Sequence, residues 1–310
     1  QRENKRPEEA SAEPLRRSGE DDDMTIAKIL VPVRGDGKGP GVLAHAVVLA
    51  RRFGAHVDLL HCLARPVDFM PIGVNLPRAM REQIRSSAAQ LSSEEGAALE
   101  QQLTALFSEH GVERIASDAA RAGGATTGSW QTAEGKMADV IRSHGRLADI
   151  VAVAKPDRDA NLGVNSLRAA LFQTARPVLL CPPEAPVGDF ASHIAIAWNG
   201  ALEATRAVAL AQPVLRCAER VTVLDGGEEG SPVDGEALIR YLTAHGIEAS
   251  RTRIAADENP GQAILKGALS AGAGMLLTGA YGHSHEHETI FGGATQTIVD
   301  RTQIPVMMLH

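Results

Sequence analysis

Aromatic residues are scarce: Phe, Tyr and Trp together make up 3% of the 310 residues. Any core must therefore be aliphatic, and a hydrophobic content of 44% is enough to build one. Cysteine is scarcer still. Cys62, Cys181 and Cys217 are scattered and odd in number. That excludes a disulfide framework and a CxxC metal pair, and it fits a reducing cytoplasm. Positive charge is also short, with 31 Lys and Arg against 38 Asp and Glu and a net charge of −7. Broad, sequence-independent nucleic-acid binding rests on clustered cations, so it is not expected. No apolar run reaches the ~18 residues a membrane span requires, and no signal-peptide core is present. The expectation is a cytoplasmic protein without a membrane or nucleic-acid partner.

Several motifs are missing as well. There is no G-x-x-x-x-G-K-[ST], which excludes a Walker-type ATPase, and no G-x-S-x-G hydrolase elbow. The stretch "GHSHEHE" is not the H-x-G-H of nucleotidyl transferases. "GDGKGPG" (35–41) lies between a strand and a helix but does not fit G-x-G-x-x-G. The second strand ends in "LLHC", without the acid that would hold a ribose, so this stretch reads as a plain turn.

What is present is a repeat. "KILVPV" (28–33) resembles "HIAIAW" (193–198), and "HVDLLHC" (56–62) resembles "RVTVLDG" (220–226). "HGVE" (110–113) matches "HGIE" (245–248), "DIVAVAK" (149–155) resembles "GMLLTGA" (274–280), and "RPVLLC" (176–181) resembles "IPVMML" (304–309). Five matches in one order argue for two copies of one unit. The falling offset gives the first copy about 29 extra residues after its second strand and about ten before its fourth. These insertions, "LARPVDFMPIGVNLPRAM…" and "RAGGATTGSWQ", read as loops, the first continuing into a helix. In each copy short continuous apolar strands alternate with helical segments. The pattern predicts two tandem doubly wound parallel sheets of five strands, flanked by helices, with the α/β class. Residues 1–23 carry eight acids and five bases with Leu15 their one large apolar residue, so they read as a disordered extension. The first domain is placed at 24–186 and the second at 187–310, split at "PPEAPVGD" (182–189).

The stretch "GAYGHSHEHETIFGGATQ" (279–296) follows the fourth strand of the second copy and opens a helix near Gly292. Helix N-termini carry unpaired N–H groups and attract phosphate. Gly292 and Gly293 let a ligand approach the backbone, and Thr295 adds a hydroxyl. The spacing Gly279-x2-Gly282-x9-Gly292 resembles the ATP-binding motif of the universal stress proteins, in two tandem copies over 24–310. The resemblance implies ATP, with Mg2+, in the second copy. Carried over, Thr278, Gly279, Gly282, Gly292, Gly293 and Ala294 would line the nucleotide. Beside them, Thr295 offers its hydroxyl in the first helical turn, and His283, next to Gly282, is positioned in the sequence to contact the triphosphate. Ala197, Trp198 and Asn199 sit beside the base, with Asp225 and Gly226 near the base and ribose. Two departures stand out: Asn199 replaces the family's frequent Asp, and Gly293 replaces its Ser or Thr.

In the first copy Ala154 and Asp157 stand where Gly279 and Gly282 stand in the second, and Arg34 replaces the first-strand Asp. That copy reads as degenerate for ATP and structural, although Lys155, Arg158 and Arg168 are cationic enough to receive another anion. His283, His285 and His287 share one side of an extended segment, which suits Zn2+ chemistry or a mobile polar loop. The loop is the expectation, with no metal and no catalytic residue assigned. The resemblance implies a regulatory or stress-resistance role, with the halves packed as a pseudo-dimer and tandem chains able to pair. A slow ATPase or phosphoryl-transfer enzyme, or a nucleotide-free scaffold, are the alternatives.

Overall fold

The computed structural model describes residues 25–63, 65, 78–160, 162–183, 185, 187–254, 259–281 and 293–310. The chain runs β1 (Lys28–Val33), α1 (Gly39–Arg51), β2 (His56–Leu63), α2 (Arg78–Glu109), β3 (Glu113–Arg114), β4 (Thr127–Glu134), α3 (Met137–Gly145), β5 (Ile150–Ala154), α4 (Val164–Gln173) and β6 (Val178–Cys181). It continues with β7 (His193–Trp198), α5 (Leu202–Leu210), α6 (Gln212–Arg216), β8 (Arg220–Asp225), α7 (Gly235–Ala244), β9 (Ala249–Arg253), α8 (Pro260–Ser270), β10 (Met275–Gly279), α9 (Gly293–Arg301) and β11 (Val306–Leu309).

The strands form one sheet in the order β3-β4-β2-β1-β5-β6-β11-β10-β7-β8-β9. Within each half every pairing is parallel, and the first strand lies inside, flanked by the second and fourth. Side chains alternate between the two faces of a strand. In β1, Ile29, Val31 and Val33 enter one core layer and Leu30 enters the other. Helices α1, α2, α5, α6 and α7 supply the first layer, through Leu43, Phe107, Val208, Leu215 and Leu242. Helices α3, α4, α8 and α9 supply the second, through Ile141, Leu167, Leu265 and Ile298. Cover on both faces is why the central strands are continuous apolar runs.

The two halves meet at β6 and β11, which pair antiparallel with Leu179 opposite Met307. The two expected sheets are thus joined edge to edge, and the inner edge strand of each half is covered. Arg52 of α1 forks onto the carboxylate of Asp189 in the connecting segment, with one contact at 2.6 Å. Among the described residues, no helix is long and apolar enough to cross a membrane.

One expectation is corrected. Residues 121–131 do not form a loop throughout: β4 begins at Thr127 and pairs with β2 along its whole length. Its composition misleads because Ser129 and Gln131 turn toward a buried carboxylate, Asp58, rather than toward apolar neighbours. Gly128 is required there, since a Cβ would lie 2.5 Å from the Phe107 ring. Among the described residues the first half therefore has six strands, the short β3 forming its outer edge.

Candidate functional site

The carboxyl ends of β7 and β10 lie side by side, Thr278 beside Ala197. Since β8 flanks β7 on its other side, this is the sheet's switch point, where ligands of open α/β sheets bind. A cleft of about 470 Å3 opens there. Ala197, Trp198, Asn199, Thr278 and Gly279 come from the strand ends. Gly293, Ala294 and Thr295 come from the first turn of α9, whose N–H groups have no acceptor within the helix itself. Gly226 joins them from beyond β8.

Most of the residues singled out from the sequence are thus brought together, but their roles differ. Gly279 is needed by the protein itself, because a Cβ would lie 2.5 Å from the Ala204 nitrogen and force α5 away. Among the described residues no atom lies within 4 Å of the Cβ position of Gly293, so on that side it leaves open space. Trp198 donates its indole N–H to the Val233 carbonyl at 2.9 Å. Asn199 accepts from the Ala201 N–H at 3.1 Å, which starts α5. Thr278 Oγ1 donates to the Gly279 carbonyl at 2.9 Å. Thr295 Oγ1 accepts the Tyr281 N–H at 3.2 Å.

Asp225 does not line the cleft. Its side chain is fully buried beneath Gly235 and accepts from the Gly227 N–H at 2.9 Å, from Arg251 Nη2 at 2.7 Å and from Arg253 Nη1 at 3.0 Å. Burial alone would raise its pKa. The backbone donor and the two guanidinium groups more than offset this and hold the carboxyl below the usual range. Gly282, His283, His285, His287 and Gly292 lie outside the described residues. Among the described residues, no cluster of His, Cys, Asp and Glu is arranged to hold a metal.

The structure adds lining residues that the motif did not indicate. Ile254, Pro260 and Ile264 make an apolar wall suited to a flat heterocycle, and Glu203 brings a carboxylate. Tyr281 lies two residues beyond the end of β10, and its φ of +65° is unusual for a residue with a side chain. Burial raises its phenol pKa and the charge of Asp300 adds to this, while Arg158 and Arg168 oppose it.

The corresponding place in the first half is nearly filled, with a cavity of about 30 Å3 beside Arg34, Lys38, Ala154 and Gly163. Its loop closes on itself: Asp157 and Leu162 exchange backbone hydrogen bonds at 2.9 and 2.8 Å. Lys38 Nζ lies 3.7 Å from Asp157. A larger groove of about 970 Å3 lies elsewhere, over the amino-terminal parts of β1, β2 and β4. Its central carboxylate, Asp58, already accepts from Lys28, Ser117, Ser129, Gln131 and His56, so these polar groups satisfy one another. The switch-point cleft instead is lined by the first turn of α9, where a helix has no partner of its own for its N–H groups, and it is the better ligand site.

A parallel half-sheet in each repeat with helices on both faces, strand order 3-2-1-4-5 in the second half and a cleft at its switch point define a doubly wound α/β architecture. No known family pattern matches the chain, and no curated protein is similar to it in sequence. Solved structures are. A universal stress protein from Archaeoglobus fulgidus DSM 4304 superposes with a TM-score of 0.65 at 14% identity, over 91% of this chain and 95% of its own. A functionally unknown protein from Pseudomonas aeruginosa PAO1 gives 0.53 at 14% identity over 92% of each chain. A protein from Pseudomonas aeruginosa UCBPP-PA14, provisionally assigned as a universal stress protein, gives 0.51 at 14% identity over 92% and 93%. The chain has the universal stress protein fold, twice along one polypeptide.

Proposed function

We propose that this protein binds one adenine nucleotide per chain, in the cleft of its second half, and acts as a nucleotide-dependent regulator in the cytoplasm. The observation that carries this is the asymmetry of the two switch points: about 470 Å3 in the second half against about 30 Å3 in the first. The larger value lies within the ~300–1,000 Å3 usual for small-molecule sites. The residues suit the ligand. Ile254, Pro260 and Ile264 offer an apolar face for the base, and the N–H groups of Gly293, Ala294 and Thr295 would hold phosphate oxygens. Asn199 would meet the base or ribose without charge. ATP with Mg2+ is the form proposed, and Glu203 is the one carboxylate among the described lining residues that would face the metal.

The nucleotide supplies its own negative charge and its transferable phosphoryl group. The chain's part is to bind and orient it on rigid strand ends. Isothermal titration of the purified protein with Mg-ATP tests the reading, together with analysis of any nucleotide that co-purifies. One site per chain is expected, and no binding of ATP or AMP at millimolar concentration would overturn it.

A further inference from the structure

The wall of the second half's cleft is braced by the first half. Tyr281 lines the cleft, and its ring packs on Phe172 of α4 with centroids 5.2 Å apart. Phe172 also meets His310, edge to face at 4.7 Å. His310 in turn bonds through Nδ1 to the carbonyl of Ala280, the residue before Tyr281. One side chain of the first half thus meets both the residue that turns out of β10 and the ring tied to its neighbour.

That turn needs a brace. The left-handed backbone of Tyr281 is unfavourable for a side-chain-bearing residue and persists where its surroundings hold it. Its N–H is spent on Thr295 Oγ1, in the first turn of α9. Moving Tyr281 would therefore move the part of α9 that faces the cleft. Aligning the two final strands puts Asp300 at the place of Phe172 in the other half. There the cross-junction contact is ionic, Arg158 Nε to Asp300 Oδ1 at 2.9 Å, and the adjacent switch point is nearly closed. The aromatic brace occurs on the side with the open cleft.

We infer that Phe172 is a positioning residue for the ligand site of the opposite half, holding Tyr281 and the first turn of α9 in the geometry that receives the nucleotide. The inference rests on the proposed nucleotide site. It gives the first half a function beyond covering a sheet edge: nucleotide affinity depends on a residue that touches no nucleotide.

The test is calorimetric titration of the full chain with Mg-ATP. Phe172 is 38% exposed, so truncating it should leave folding intact. Phe172→Ala is expected to weaken binding roughly five- to tenfold with a nearly unchanged urea midpoint. Phe172→Tyr, which keeps the ring, is expected to restore wild-type affinity, and Phe172→Leu to fall between. In a Tyr281→Leu background, Phe172→Ala should cost little more. Wild-type binding with equal affinity in Phe172→Ala overturns the inference and leaves the site reading standing. An equal loss with and without the Tyr281 ring also overturns it. Should Phe172→Ala not fold, the comparison of Leu with Tyr decides, and equal affinities overturn the inference. Absence of binding by the wild type itself overturns the site reading, and this inference with it.

Discussion

The Lys28 ammonium lies 2.6 Å from the buried carboxylate of Asp58, at the place where His193 reaches Thr222 in the other half at 2.9 Å. The strand pairings make the two positions equivalent, since Lys28 opposes His56 as His193 opposes Arg220. One half uses charge where the other uses a neutral imidazole and hydroxyl. Burial alone would raise the Asp58 pKa, but hydrogen bonds from His56, Lys28 and Ser129, with the Lys28 charge, hold it well below the carboxylate range.

Replacing Asp58 with Thr should therefore destabilise the fold by about 3 kcal/mol, because Lys28 and the other donors lose their acceptor. The pair Lys28→His with Asp58→Thr rebuilds the neutral arrangement of the second half, with Ser129 in the part of Ser250. It should recover more than half of that loss. Urea unfolding of the single and double variants measures both, and additive losses would contradict the equivalence.

Gly279→Ala should cost about 1–3 kcal/mol, because its Cβ would meet the backbone at Ala204 and Glu203 rather than a yielding side-chain tip. Gly293→Val should leave the urea midpoint nearly unchanged, since its Cβ position is open among the described residues. It should weaken Mg-ATP binding by about tenfold or more, roughly 1.4 kcal/mol, by filling space beside the helix N–H groups. Equal effects of both variants on stability would contradict this division of roles.

Separated halves test the asymmetry. A fragment of residues 24–186 should show no ATP binding. A fragment of residues 187–310 leaves β11 without β6 and should aggregate, or bind as a homodimer with lower affinity because Phe172 is gone; the exposed apolar edge strand seeks a partner. A monodisperse monomer of the second fragment by sedimentation would contradict the role given to this pairing.

Mild acid should destabilise the fold through histidine. Burial lowers the pKa of His61, with Glu95 opposing. Burial also lowers that of His193, with the Gly272 carbonyl opposing and Arg220 assisting. The unfolded chain takes up these protons near ~6.5, while the folded form resists. The stability they lend is present above that value and is lost as pH falls through their lowered folded values. Asp58 and Asp225, also lowered, remain ionised in this window and add their loss only below about pH 4. The urea midpoint should fall between about pH 7 and 5. His61→Gln with His193→Gln should flatten that slope, and an unchanged slope would contradict the assignment.

Runs such as "KILVPV" and "HIAIAW" announce buried strands because both faces of this sheet are covered, so local composition was enough to read the α/β class and the repeat. The strand β4 was not legible. Ser129 and Gln131 look like loop residues until Asp58, 71 and 73 positions away, is placed beside them. The glycine spacing pointed to a ligand loop, but it was silent on why Gly279 is glycine. The answer is the Ala204 nitrogen, 2.5 Å from where a Cβ would stand.

Asp225 shows the limit from the other side. The family resemblance puts this carboxylate, at the end of a second strand, near the base and ribose. Only tertiary structure brings Arg251 and Arg253 from β9 against it and turns it inward. Likewise, Phe172 carries no motif, and its place against Tyr281 exists because β6 and β11 join two repeats back to back. Sequence by itself determined which segments bury apolar surface, because that depends on neighbours one to four residues away. Tertiary structure alone decided which polar groups face each other across the sheet and the junction, because those contacts depend on strands paired from distant parts of the chain.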